Sequence, residues 1–370
     1  MTPASKNVPW ARDMDRIFRA LAVVDNWNLA NWQTVSASGG TLGAGLGAPH
    51  TAWAPPLLAT PTPAPFDFSL STSPSSGFVP VHGQSLATTV TAQRTFGPSH
   101  SVQYSCTGLP AGATSTFTPS AGNPTSTANL TLATSSSTPP GTYVVSVQAT
   151  DGTITRTSGF TLTVGDPLLA YDMETLTGTG LMNDLSGHGN EGTITGATDV
   201  AGRVGRARQF DGIDDVIQSP SFSRSANGTF ALWVKPDISQ APPSGTYPQI
   251  LSFVGDPGIY IQANTGRPYL QIAFPTAGYR AIVASTPVSS DSYTHVVGTW
   301  HWDGTNTVMR IYVNGIEDAT PLSIADRLGL SSRALRVGGP GGTPIKGIVD
   351  EVLVYDRSLS AQEIAALTSG

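Results

Sequence analysis

From Phe66 onward the chain is written in short runs whose apolar residues fall on every second position, a period that fits strands and not helices. Ser101-Val-Gln-Tyr-Ser-Cys106, Ala128-Asn-Leu-Thr-Leu132 and Gly159-Phe-Thr-Leu-Thr-Val164 are examples, and Gly and Pro punctuate the spaces between such runs. The 40 glycines and 29 prolines supply turns in the number that many short strands need. Only 12% of residues are charged, too few for long solvated helices, so the expected fold class is all-β.

The first 65 residues read differently. Trp10, Met14, Ile17, Phe18, Leu21 and Val24 recur at helical spacing, with Arg12, Asp13, Asp15, Arg16 and Arg19 between them, and Asn7 before Pro9 marks a helix start. One short amphipathic helix is marginal alone, so residues 1–35 are expected to dock on copies of the chain or on a larger assembly. A helix packed against the following domain is the alternative, and Trp27, Trp32 and Trp53 suit either. Residues 36–65 run through Gly- and Ala-rich sequence into Pro61-Thr-Pro-Ala-Pro65, a linker. Its Pro-rich half would span roughly 35 Å at about 3.1 Å per residue.

Residues 66–165 read as a small sandwich. Pro139-Pro-Gly-Thr-Tyr143-Val-Val-Ser-Val-Gln-Ala-Thr-Asp151-Gly152, with Leu109-Pro110 and Phe117-Thr-Pro119 upstream, resembles bacterial immunoglobulin-like repeats. The single Cys106 has no disulfide partner and reads as a small buried residue. His82 and His100 stand alone in turn-like surroundings, as surface residues do.

Residues 166–370 carry more specific signals. Ala170-Tyr-Asp172-Met-Glu174, Asp184-Leu-Ser-Gly-His188-Gly-Asn190, Phe210-Asp211-Gly212, Phe230-Ala-Leu-Trp233, His295-Val-Val-Gly-Thr-Trp300, Ile311-Tyr-Val-Asn314-Gly315 and Gly347-Ile-Val-Asp350-Glu351 occur in the order that resembles laminin-G-like jelly rolls of the concanavalin A-like type. The same residues make local sense. Asn314-Gly315 after a strand predicts a two-residue hairpin, and Ser360 with Glu363 predicts a capped closing helix. The resemblance implies a calcium ion where the loop after Phe210-Asp211-Gly212 meets the terminal strand near Asp350, with Asp184 or Asn190 contributing. The alternative is that these side chains fix turns by accepting backbone hydrogen bonds.

Charge and motif content exclude several functions. A net charge of −6 with three lysines, Lys6, Lys235 and Lys346, offers no basic stripe for nucleic acid, and no segment is long enough to span a membrane. No Glu-x-Asp-x-x-Glu pattern of concanavalin A-like glycosidases appears. The Asp350-Glu351 pair is adjacent on a strand and is expected to point to opposite faces, so the chain is not expected to be an enzyme. A lectin-like role would draw on aromatic platforms, for which Tyr260, Tyr269 and Trp302 are the candidates. The N-terminus carries no secretory signal pattern, which together with the anchor, stalk, spacer and tip order leads to the expectation of a phage fibre, minor tail or capsid-decorating protein. Its expected partners are virion proteins, host-surface glycan and further copies of itself. A secreted or cell-surface carbohydrate-binding protein of a bacterium, and a purely structural decoration without ligand, are the two alternatives.

Overall fold

The computed structural model describes residues 65–237, 247–262, 265–339 and 343–368. Trp10, Met14, Ile17, Phe18 and Leu21, with the expected anchor helix and the linker up to residue 64, lie outside the described residues. The rest is two successive β-sandwiches and one helix, as the alternating pattern predicts.

The first sandwich holds β1 (Asp67–Ser73), β2 (Ser76–Val79), β3 (Ser85–Phe96), β4 (Val102–Thr107), β5 (Thr114–Thr118), β6 (Ala121–Gly122), β7 (Ser126–Ala133), β8 (Gly141–Thr150) and β9 (Thr155–Val164). One sheet runs β1-β3-β7-β5 and the other β2-β9-β8-β4-β6. Alternate residues fill the space between them: Val90 and Ala92, Leu130 and Leu132, Val145 and Val147, Phe160 and Leu162. Period two thus becomes one apolar face per sheet. Cys106 is half-buried here, and burial pushes its thiol pKa up. His100 stacks on Phe66 and pairs with Asp151 at 3.2 Å.

The second sandwich is larger. Its first sheet contains β10 (Leu169–Tyr171), β12 (Thr198–Ala201), β13 (Arg206–Asp211), β15 (Gly228–Pro236), β20 (Thr294–Trp302), β21 (Thr307–Val313), β22 (Ile316–Glu317), β23 (Leu322–Ile324) and β26 (Lys346–Tyr355). They run β12-β13-β26-β15-β20-β21-β22, with β10 on β26 and β23 on β21. The facing sheet is β11 (Thr193–Thr195), β14 (Val216–Ser223), β24 (Ser332–Gly338), β16 (Pro248–Phe253), β17 (Gly258–Ile261), β18 (Pro268–Phe274) and β19 (Gly278–Val283) in that spatial order, with β25 (Thr343–Pro344) parallel to β16. Phe210, Phe230, Leu232, Phe253, Leu270, Ile272, Trp300, Ile311 and Val349 pack between the sheets. Asn314 and Gly315 take φ of 49° and 81°, the left-handed pair that a tight hairpin needs.

The outer face of the first sheet is also covered. Ala231, Val297, Tyr312, Leu353 and Tyr355 form a second apolar cluster with Leu359 and Ile364 of the C-terminal segment and with Phe78 and Val81 of the first sandwich. Helix α1 (Ala361–Leu367) closes this cluster, its start fixed by the reciprocal Ser360–Glu363 capping box that the sequence predicts. No helix among the described residues is long and apolar enough to cross a membrane.

Candidate functional site

The outer face of the second sheet carries the aromatic residues. In β18, Leu270, Ile272 and Phe274 enter the core, so Tyr269, Gln271 and Ala273 face outward. In β17, Ile259 and Ile261 enter the core and Tyr260 faces outward, directly opposite Tyr269. The two rings stack with centroids 5.3 Å apart and planes 20° apart, and Tyr247 closes edge-on against Tyr269 at 5.7 Å. Tyr279, 67% exposed, projects from β19 on the same face, opposite Ala273. Gly258 makes this arrangement fit: a Cβ there would lie 2.7 Å from Cε2 and 2.8 Å from the hydroxyl of Tyr260, so the ring folds back across the glycine toward Ser252. Tyr260 is the partly exposed ring of the pair, Tyr269 is only 5% exposed, and Gln249, Gln271 and Ser252 share this face of the sheet. Burial pushes the Tyr260 hydroxyl up to about 12, so it stays a neutral donor at ordinary pH.

Two of the three aromatic residues expected from sequence therefore meet. Trp302 does not join them. It ends β20 in the opposite sheet, where its backbone N–H donates to Asn227 Oδ1 at 2.7 Å.

One acid lies under this face. Asp256, in the turn between β16 and β17, is only 5% exposed, and its charge acts on the Tyr260 and Tyr269 hydroxyls. The Ala273 amide approaches its carboxyl and favours the ionised form, yet neither oxygen meets the geometry of a hydrogen bond. Burial pushes its pKa up to about 7.

The other acidic residues are spread along β26. Asp211 pairs with Lys346 at one end of the strand, Asp350 lies beside Trp233 four residues on, and Asp184 binds the Ala170 amide in the strand whose Ala170 pairs with Leu353. Seven residues of strand, roughly 23 Å at ~3.3 Å each, separate the first station from the last. The side chains are also committed: Asp184 accepts from the amides of Ala170, Ser186 and Asn190, Asn190 Nδ2 donates to Leu168 O, and Asp350 accepts from the amides of Arg203, Val204 and Glu351. The expected calcium site formed jointly by these residues is thus not assembled. Asp211 instead groups with Asp214 and Asp215, with carboxylate oxygens within 4.8 Å of one another.

The expectation that Asp350 and Glu351 point apart also needs correction. Glu351 adopts φ of 49° and the pairing of β26 with β15 slips between Ala231 and Trp233, a bulge that breaks strict alternation. Burial, and then the nearby charges of Asp350, Asp172 and Glu174, push Glu351 up to about 8, and burial pushes Asp350 up to about 6. The group lies beside the 202–206 turn, which Asp350 and Glu174 hold through the amides of Arg203, Val204 and Arg206.

Compared with known families, residues 211–365 match the concanavalin A-like lectin/glucanases superfamily. This region is a concanavalin A-like jelly roll. Solved structures similar to the chain include domain 4 of AbnA, a GH43 extracellular arabinanase from Geobacillus stearothermophilus, in complex with arabinotriose, at 22% identity and a TM-score of 0.43, covering 55% of this chain and 98% of that one. The binding domain of Paraclostridial Mosquitocidal Protein 1 is similar at 16% identity and a TM-score of 0.44, covering 55% of this chain and 52% of that one. The binding domain of botulinum neurotoxin serotype D gives 14% identity and a TM-score of 0.44, with 55% and 52% covered. No curated protein matches the chain.

Sequence reasoning missed Asp256 and Tyr247 in the jelly roll. The signal available for the first was the Asp256-Pro257-Gly258 run, turn chemistry directly before the strand that carries Tyr260.

Proposed function

We propose that this chain is a non-catalytic glycan-binding protein whose ligand lies on the outer tyrosine face of the jelly roll. The observation that carries this reading is the cluster of Tyr247, Tyr260 and Tyr269 with the exposed Tyr279 on the same face, Tyr260 folded across Gly258 and Gln249, Gln271 and Ser252 beside it. Apolar C–H faces of a sugar ring pack on such a surface while neighbouring amides and hydroxyls take its O–H groups. Affinity electrophoresis of the full chain through gels containing neutral and acidic polysaccharides tests it. Retardation by at least one polysaccharide, weakened about tenfold or more in Tyr260→Ala and Tyr269→Ala, is the expected result. Retardation that both variants retain, or none with any polysaccharide, contradicts it.

At the level of the particle, the proposal extends to a virion appendage that presents this face to a host surface. The order of amphipathic segment, Pro-rich linker, spacer sandwich and terminal jelly roll supports that extension. Co-sedimentation of the chain with purified phage particles is expected, and export of a monodisperse monomer by a bacterial cell contradicts it.

A further inference from the structure

The tyrosine face rests on an acid that the fold leaves without a partner. Asp256 lies in the turn just before β17, two residues before Gly258 and four before Tyr260, close enough that its charge acts on the Tyr260 and Tyr269 hydroxyls. Its φ of 120° is a conformation that residues with side chains avoid, so the turn holds it against local preference. Both carboxyl oxygens are buried and without a hydrogen-bond partner. A buried carboxyl in that condition is tolerated as the neutral acid and is costly as the anion.

The groups around it define what ionisation would do. From the segment after β14, the Arg224 guanidinium donates to the backbone carbonyl of Asp256 and not to its carboxylate, while its Nε donates to Ser331 Oγ. Arg333 of β24 reaches the adjacent Gly255, and the Ala273 amide of β18 approaches the carboxyl. Tyr260 and Tyr269 feel the Asp256 charge, and Tyr260 also feels Tyr279 of β19. Two cations thus flank the turn, yet neither makes an ion pair with the carboxylate as the turn now stands.

We propose that Asp256 is a pH-dependent positioning residue for the glycan face: as the neutral acid it underlies Tyr260, and on ionising it pulls the 254–257 turn toward Arg224 and Arg333, tilts Gly258 and Tyr260, and weakens ligand binding. This deepens the glycan-binding reading and depends on it for the ligand, although not for the movement of the ring. Asp256 itself is buried and is not a ligand contact. Binding holds on the acid side of neutrality and fades on the alkaline side.

Two measurements on the full chain separate the switch from the ligand. In tyrosine-selective NMR without ligand, the Tyr260 ring resonances should shift between about pH 5.5 and about pH 8.5 in wild type and stay still in Asp256→Asn. Affinity electrophoresis in gels of whichever polysaccharide retards the chain should show about tenfold weaker binding at about pH 8.5 than at about pH 6 in wild type, and less than about twofold change in Asp256→Asn. Rings that move in wild type without any polysaccharide binding uphold the switch and overturn the glycan reading. Binding whose pH dependence is the same in both proteins, or wild-type rings that do not move, overturns the switch. An unfolded Asn variant leaves the wild-type ring titration to decide.

Discussion

The phenolic O–H of Tyr355, in the last strand of the jelly roll, donates to the carbonyl of Pro80 in the first sandwich at 3.1 Å, and the same ring packs near Phe78 with centroids 6.5 Å apart. Residues 275 positions or more apart in the chain do not hold such contacts through a loose tether. Phe78 and Val81 complete the apolar cover over Ala231, Val297, Tyr312 and Leu353. The spacer is therefore a structural part of the jelly roll's outer layer.

A first prediction follows from that cover. Phe78→Ala should destabilise the protein by about 2–4 kcal/mol, because it removes a buried ring and leaves a cavity against the second sandwich. In urea unfolding, fluorescence of the jelly-roll tryptophans should report the loss. A variant in which only the first sandwich loses stability would show that the two unfold independently.

The close fit at Gly258 gives a second. In Gly258→Ala the new methyl would stand 2.7 Å from Ser252 Cβ and 2.7 Å from Tyr260 Cε2, so the ring must leave its place. We expect a stability loss of about 1–3 kcal/mol together with weakened polysaccharide retention. Retention at wild-type strength would mean that the ligand does not use the Tyr260 ring.

Asp256 makes stability depend on pH in a defined direction. Its folded pKa of about 7 lies above the ordinary 3.8, so the folded state holds the proton more tightly than the unfolded chain. The stabilisation is full below the ordinary value and is lost as pH rises through the window to about 7. Asp256→Asn should be more stable than wild type on the alkaline side, by up to about 4 kcal/mol. Urea midpoints measured across this range, parallel for the two proteins, would contradict the assignment.

Glu351 and Asp350 act in the same sense. Their pKa values of about 8 and about 6 are both raised, chiefly by burial, so each costs stability as pH rises. Glu351→Gln should raise the melting temperature most above about pH 8 and least below about pH 5. Asp350→Asn differs, because Asp350 accepts three backbone amides that fix the 202–206 turn and the bulge. It should lower the melting temperature at every pH.

Much of the fold was legible because strand alternation and turn chemistry are local. Ser360 with Glu363 and Asn314 with Gly315 act within a few residues, and the structure shows both as read. Tyr260 and Tyr269 were candidates by residue type alone, since their pairing is a matter of register between strands. What escaped reading is what register and irregularity decide. Glu351 faces its acidic neighbours through a bulge, Asp184, Asp211 and Asp350 fall at separate stations along β26, and Asp256 is buried in a turn. Each depends on register, a bulge or a turn, which strand alternation alone does not encode.

The central claim is that a sugar lies on the Tyr260–Tyr269 stack. Intermolecular nuclear Overhauser contacts, measured on tyrosine-labelled full chain with an oligosaccharide cut from the retarding polysaccharide, address it directly. Contacts from sugar ring protons to the partly exposed Tyr260 and the exposed Tyr279, with none to Trp302, are the expected result. Contacts that avoid β17 and β18 and fall on another surface would contradict it.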